Sequence, residues 1–312
     1  MLKNWLRGAR SAAARGLASA ILRFPSLEPG FIATGRWLAR RMPLLGTVYW
    51  FAQEDLIRAY RRSARRFRIH RIEGVDAAVD VTDGTARLLH FYGQPYEPGL
   101  ARALRQRLAP GDVFLDIGAN IGYFSVLAGL TVAPTGRVIA FEPHPAAREI
   151  LRQAVAANRL DQIVEIVPAA VADRDGVVSL FLSQDSVLST TDPSRSPLRS
   201  DFTFPDSIEV PRLTVDGWLA GNPGLAPRIR VIKIDVEGTE ADVLRGMRET
   251  LRSCPHAAIV CETTVGSDAD RFLREQGYDA TSVDVYRTDF GNFCYERRAI
   301  DPAAASARSA RG

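Results

Sequence analysis

The sequence predicts an α/β domain of Rossmann-like kind: a seven-stranded, mostly parallel sheet with a C-terminal antiparallel pair, preceded by a basic helical segment. Three observations predict it. From about residue 84 short apolar runs alternate with helical stretches of about 10–15 residues, the pattern of βαβ units. The first well-formed run ends in a glycine-bearing turn that opens a helix. Charge is divided unevenly, with fifteen Lys+Arg against six Asp+Glu in residues 1–80 (+9) and twenty-five against thirty in the remaining 232 (−5).

The basic segment comes first. Leu2, Trp5, Leu6, Leu17, Ile21 and Leu22 recur at near-helical spacing with arginines between them, predicting an amphipathic helix broken at Pro25 and again at Pro29–Gly30. A second helical stretch is expected from Val48 to Arg68, ending in Arg61, Arg62, Arg65, Arg66 and Arg68. Two readings stay open: a solvated helix packed on the main domain, and a contact with a membrane surface or partner. Pro43–Ala52, the best apolar run, is about half the roughly 20 residues a bilayer crossing needs. Arg7, Arg10 and Arg15 interrupt any secretory apolar stretch. Residues 1–27 have no acid, a composition shared by transit peptides and by Ala/Arg-rich surface helices; the latter is preferred. A cytoplasmic protein is expected, with its arm at the inner membrane face as the sharper alternative.

The main domain is expected over residues 84–300, after a segment 1–83 and before a disordered tail 301–312. Its elements are a helix at Leu100–Leu108, a strand at Val113–Ile117, a helix at Tyr123–Leu130, a strand at Arg137–Phe141, a helix at Ala146–Asn158 and a strand at Ile163–Val167. Val177–Leu182 and Ile208–Leu213 read as further strands around a long Ser/Asp/Pro-rich loop, Ser183–Asp206, of the kind that serves as a lid. The parallel pattern resumes with Arg230–Ile234, the helix Ala241–Leu251 and the strand Ala257–Cys261. Tyr278–Val285 and Asn292–Arg297 form the closing pair.

Chemistry concentrates at strand ends. Asp116 ends the first strand, and Gly118, Asn120 and Gly122 form a Gly-x-Asn-x-Gly turn in which glycine permits a sharp bend and close approach to a ligand. Ligands of open α/β sheets bind beyond the carboxyl ends of the strands, where this turn lies. The G-x-G-x-x-G of a pyrophosphate cradle is absent, which disfavours a nicotinamide dehydrogenase and suits a cofactor without phosphates. Glu142 ends the second strand, 26 residues beyond Asp116, placed to accept from both hydroxyls of a ribose. Asp173, after the third, is either an acceptor for an adenine amino group or a turn former. Lys233, Asp235 and Glu237 alternate with apolar residues at the end of a central strand. A structural Lys233–Asp235 pair is the bland alternative; strand alternation is taken to set the two apart, and the functional reading is preferred.

Three cysteines without CxxC spacing and four histidines outside any HxxxH or HExxH arrangement give no support to a disulfide framework or a metal centre. An acidic body with a basic arm is unlike a nucleic-acid enzyme.

The strings DIGANIGYFS (116–125), FEPHP (141–145), VADRDG (171–176) and IKIDVEGTE (232–240) together resemble the FkbM family of methyltransferases over residues 85–265. The resemblance implies the class I methyltransferase fold, S-adenosyl-L-methionine as methyl donor, and a hydroxyl acceptor on a sugar, polysaccharide, glycolipid or secondary metabolite. Asp116, Gly118, Asn120, Gly122, Glu142 and Asp173 are then the expected cofactor-binding residues. Asp235 is the expected general base, with Glu237 and Glu262 in reserve and Lys233 orienting Asp235 or the acceptor. His144 is a weaker pocket candidate. A nucleic-acid or protein N-methylating enzyme would carry Asn/Asp-Pro-Pro-Tyr/Phe after the fourth strand, where Asp235-Val-Glu-Gly stands. The rival from another class is a non-catalytic cofactor-binding or membrane-scaffold module.

Overall fold

The structure, a computed structural model, describes residues 2–61, 63–82, 84–182, 189–195 and 204–298. The expected tail 301–312 and most of the expected loop 183–206 lie outside the described residues. The chain forms two compact units, Met1–Tyr96 and Glu97–Gly312.

In the first unit α1 (Leu2–Arg23), α2 (Glu28–Arg41) and α3 (Pro43–Tyr60) are followed by the hairpin β1 (Phe67–Ile72) and β2 (Val75–Asp80), then α4 (Gly84–Arg87) and a π-helical turn at Leu88–Tyr92. Pro25 follows the end of α1 as expected, but Pro29 starts α2 instead of breaking it: in a first turn the missing N–H has no helical partner to lose. The helix expected to reach Arg68 stops at Tyr60. Ser63 Oγ accepts from Arg65 N at 3.0 Å, and the chain then turns extended. Phe67–Ile72 and Val75–Asp80 pair antiparallel across Glu73–Gly74, both at positive φ (45° and 86°), as a two-residue hairpin turn requires. Ala18, Ile21, Leu56, Ile57, Tyr60 and Phe91 form the core of this unit. Phe24, Leu27, Trp37 and Trp50 are exposed.

The second unit runs α5 (Pro98–Arg107), β3 (Val113–Ile117), α6 (Tyr123–Val132), β4 (Arg137–Phe141), α7 (Pro145–Ala157), β5 (Val164–Val167), β6 (Ala170–Val171), β7 (Gly176–Leu182), β8 (Asp206–Leu213), α8 (Val215–Ala220), β9 (Ile229–Ile234), α9 (Glu240–Arg245), α10 (Arg248–Ser253), β10 (Ala258–Thr264), α11 (Asp268–Glu275), β11 (Tyr278–Val285) and β12 (Phe290–Arg297). Seven strands form one sheet in the order β11-β12-β10-β9-β3-β4-β5. β10, β9, β3, β4 and β5 are parallel, and β12 enters antiparallel between β10 and β11. This is the expected Rossmann-like architecture with its closing antiparallel pair. The central strands β3 and β9 are buried at nearly every position, which is why they read as mainly apolar runs.

Three details depart from expectation. The chain leaves the main sheet after β5, and β6, β8 and β7 form a separate three-stranded sheet. The helix expected at Ala241–Leu251 divides at Gly246, where a Cβ would stand 2.0 Å from the Ala172 carbonyl oxygen. The expected fifth strand extends to Thr264, so Glu262 lies inside it and not after it.

Candidate active site

The chain builds β4 and β5 outward on one side of β3, then returns to lay β9 and β10 on the other. A crevice opens at such a reversal, beyond the carboxyl ends of the strands. Register decides what meets there: Asp116 is level with Lys233, and Ile117 with Ile234. Cys261 is level with Ile234, so Asp235 and Glu262 each follow the last paired residue by one.

The turn after β3 is left-handed at three positions, Gly118 (φ 78°), Asn120 (φ 50°) and Gly122 (φ 86°). Asn is among the few side-chain-bearing residues that tolerate this region. The glycines are needed for contact with the protein itself. A Cβ on Gly118 would stand 1.8 Å from the Asp235 carbonyl oxygen, and one on Gly122 2.2 Å from Leu151 Cδ1. Gly118 is therefore a crossing point between the ends of β3 and β9, where the sequence suggested close approach to a ligand.

Glu142 lies against the same turn. Its Oε2 accepts from Asn120 N and its Oε1 from His144 N, each at 2.7 Å. Burial pushes its carboxyl up to about 7, against the pull of those two N–H groups. Each oxygen keeps a lone pair for a further donor, and Asn120 Oδ1 nearby in the turn is buried without a hydrogen-bond partner. One unpartnered acceptor beside a carboxylate with lone pairs to spare suits a ligand rich in hydroxyl or amino groups. His144 is accounted for structurally, because its Nδ1 accepts from Ala146 N (3.1 Å) and Ala147 N (3.4 Å) as the cap of α7.

Asp116 is fully buried, accepting from Ser125 Oγ at 2.5 Å on Oδ2, with Lys233 Nζ 3.5 Å from Oδ1. Burial raises its carboxyl above the ordinary range, opposed by Lys233 and Ser125. Lys233 Nζ also donates to the Gly118 carbonyl at 3.0 Å and lies 3.1 Å from Asp235 Oδ2. Burial would lower this ammonium, yet Asp235 and Asp116 outweigh it and hold it above the usual lysine range. The expectation that strand alternation separates Lys233 from Asp235 fails, because residues two apart share a face.

Asp235, Glu237 and Glu262 converge, with a carboxylate oxygen from each within 4.8 Å of the others. Burial first, then repulsion from Asp235 and Glu240, pushes Glu237 up to about 9. The same causes, with Glu237 itself contributing, raise Glu262 well above its ordinary value. Glu240 accepts from Gly238 N at 2.9 Å and Val236 N at 3.3 Å, closing the turn after β9. The described part of the long loop reaches this turn: Thr190 Oγ1 donates to the Glu237 carbonyl at 2.8 Å. A cavity of about 250 Å³ adjoins, lined by Arg195, Gly238, Glu240, Glu262, Thr263 and Phe290 among others.

Asp173 stands apart. It follows β6 in the small sheet, forms an ion pair with Arg174 at 3.4 Å, and lines a different cavity with Thr191, Arg212 and Thr239. Among the described residues no contact joins it to Glu142.

Sequence reasoning missed Glu97. It is buried at φ 40°, its Oε1 accepts from Tyr286 Oη at 2.5 Å, and Tyr286 accepts from Asn292 Nδ2 at 2.8 Å. Its charge reaches Lys233, Glu237 and Glu262. The one signal was an acid immediately before Pro98 at a helix start. Ser125, which holds Asp116, was also overlooked.

The family model described as "Methyltransferase FkbM domain" matches residues 116–280. The hexuronic acid methyltransferase AglP of Haloferax volcanii is 29% identical over 159 residues, 50% of this chain and 59% of that protein. The 2-O-methyltransferase NoeI of Sinorhizobium fredii is 32% identical over 153 residues, 46% of this chain and 60% of its own. The 31-O-demethyl-FK506 methyltransferase FkbM of Streptomyces tacrolimicus is 30% identical over 165 residues, 46% and 62%. The chain thus spans about three fifths of these relatives' length. Among solved structures, a methyltransferase FkbM from Methylobacillus flagellatus aligns at TM-score 0.39 and 14% identity, covering 77% of this chain and 58% of that one.

Proposed function

The chain belongs to the FkbM methyltransferase family, whose methyl donor is S-adenosylmethionine, and on that premise we propose that it O-methylates a hydroxyl of a sugar, a glycan or glycolipid, or a secondary metabolite. One observation carries the reading: the ends of β3, β4, β9 and β10 bring a turn with an unpartnered acceptor (Asn120 Oδ1), the Glu142 carboxylate and a carboxylate cluster (Asp235, Glu237, Glu262) to one edge of the sheet, next to a cavity. The relatives named for hexuronic acid, 2-O and 31-O-demethyl substrates agree with a hydroxyl acceptor.

When bound, the donor supplies a methyl group activated by its sulfonium. Glu142 and Asn120 would hold its ribose side, while Gly118 and Gly122 shape the turn. Asp116, enclosed by Ser125 and Lys233, acts by fixing that turn and Lys233. The chain must also orient the acceptor oxygen and accept its proton. Asp235 is the proposed acceptor of that proton. Its side chain is 23% exposed where that of Lys233 is 3%, so it is open to a substrate while Lys233 holds its other side. Incubation with labelled S-adenosylmethionine and a panel of hydroxyl acceptors tests the reading. A labelled methyl group bonded to an acceptor oxygen supports it, and a labelled methyl found only on acceptor nitrogen or carbon overturns it.

We also propose that the first unit rests on an anionic lipid surface on the cytoplasmic side. Exposed Phe24, Leu27, Trp37 and Trp50 stand among Arg15, Arg23, Arg41 and Arg58 in a segment of net +9. Aromatic and apolar side chains interleaved with arginines suit the headgroup region. No described helix is long and apolar enough to cross a membrane.

A further inference from the structure

We infer that Asp235, Glu237 and Glu262 form a binding site for one divalent, oxygen-seeking cation at the edge of the cavity that Glu262 lines. Two independent features carry this. The first is spacing: one carboxylate oxygen from each residue lies within 4.8 Å of the others. Oxygens on opposite sides of an ion with ligands at about 2.4 Å stand about 4.8 Å apart, so three oxygens within that limit are close enough to share one ion of Ca²⁺ size.

The second is an orphaned acceptor. Glu237 is 9% exposed, and its Oε2 is sealed from solvent with no hydrogen-bond partner. A buried carboxylate oxygen left in this state is costly, and such atoms call for a donor or a cation. The neighbouring lysine is already engaged elsewhere. Lys233 Nζ donates to the Gly118 carbonyl at 3.0 Å and forms ion pairs with Asp235 at 3.1 Å and Asp116 at 3.5 Å. Among the described residues no ion pair reaches Glu237 or Glu262. Three carboxylates and no histidine or thiolate make a hard donor set, which selects Mg²⁺, Mn²⁺ or Ca²⁺ over zinc or copper.

The backbone holds this arrangement from two sides. Thr190 Oγ1 fixes the Glu237 carbonyl, and Glu240 closes the turn from Val236 to Gly238. The neighbouring cavity of about 250 Å³ leaves room for waters or an acceptor hydroxyl on the ion's open side. An ion there would lower the pKa of a hydroxyl bound to it and ease the loss of its proton. That consequence rests on the hydroxyl-transfer reading above, whereas the binding itself does not.

The test is direct binding of Mn²⁺ to the full-length, donor-free protein after chelator treatment, read by electron paramagnetic resonance and calorimetry. One saturable site per chain is expected. Glu237→Gln and Glu262→Gln should each weaken it by at least the roughly tenfold that loss of even an outer-shell partner costs. The exposed α7 variant Glu149→Gln should bind as wild type. No saturable binding at millimolar Mn²⁺, or unchanged binding in both folded variants, overturns the site. Donor binding measured in chelator separates the outcomes: if it survives while Mn²⁺ binding is absent, the cation site falls and the methyltransferase reading stands.

Discussion

Lys233 and Asp116 face each other across neighbouring parallel strands, both buried, with Nζ 3.5 Å from Oδ1. Their contact joins the two halves of the crevice, because Lys233 also reaches the Gly118 carbonyl and Asp235. A buried ammonium shared by two carboxylates is a weak source of stability while intact, and a costly element to break. Lys233→Met removes the cation and leaves Asp116 enclosed with its charge uncompensated. The expected loss is about 3–5 kcal/mol in unfolding free energy, read by urea denaturation. A loss below about 1 kcal/mol would show that the carboxylates are already neutral.

The turn after β3 gives a sharper separation of roles. Gly118→Ala places a Cβ 1.8 Å from the Asp235 carbonyl oxygen at φ 78°, so both stability and donor affinity should fall. Glu142→Ala leaves the crossing intact and removes an acceptor for the ribose. It should weaken S-adenosylmethionine binding about tenfold or more, since hydrogen bonds to a charged group are worth about 1.5–3 kcal/mol. Calorimetry that finds unchanged affinity in the folded Glu142 variant refutes that assignment.

Much of this geometry was legible in the sequence, for a physical reason. Strands buried on both faces are mainly apolar, so Val113–Ile117, Arg137–Phe141 and Arg230–Ile234 are recognisable, and charged residues at their ends stand out. What was not legible depends on strand order or on distant loops. The Lys233–Asp116 contact joins residues 117 positions apart and exists because β9 returns beside β3. Glu97 meets Tyr286 across 189 positions. The β1–β2 hairpin was hidden by its arginines, which read as a basic helix end, and by a Glu-Gly turn in place of Asn-Gly. Asp173 was displaced because β6 leaves the main sheet.

The acidic cluster makes stability depend on pH with a defined sign. Glu237 has an ordinary value of 4.5 and is pushed up to about 9 in the folded protein, by burial before repulsion. The folded state therefore holds this proton more tightly than the unfolded chain. Its contribution is fully present below about pH 4.5 and is lost as pH rises through about 9. In chelator, the second unit should unfold more readily at pH 9 than at pH 6, and Glu237→Gln should flatten part of that decline. A Gln variant with the full wild-type slope would mean that Glu237 is not the titrating group.

The first unit offers a measurement of its own. Full-length protein should co-sediment with phosphatidylglycerol-containing vesicles and release at high salt, where charge attraction is screened. The double variant Trp37→Ser, Trp50→Ser replaces two exposed rings (53% and 46% exposed) and should bind markedly less at equal charge. Equal sedimentation of the two proteins, or none by either, removes the lipid-surface proposal.

The last prediction concerns proton removal. Asp235 leaves β9 one residue beyond the last paired position, with Lys233 3.1 Å from its Oδ2 and Glu237 and Glu262 close by. Among the described residues it is the one of the three carboxylates in an ion pair with Lys233. A paired carboxylate can take a proton from a hydroxyl with the neighbouring ammonium holding it in place. Asp235→Asn is nearly isosteric and can still accept from Lys233, but it cannot take that proton. Donor affinity by calorimetry should persist while turnover falls by about 10² or more. If donor affinity falls together with rate, Asp235 holds the donor instead. Near-wild-type turnover sinks both roles and moves the test to Glu237 and Glu262.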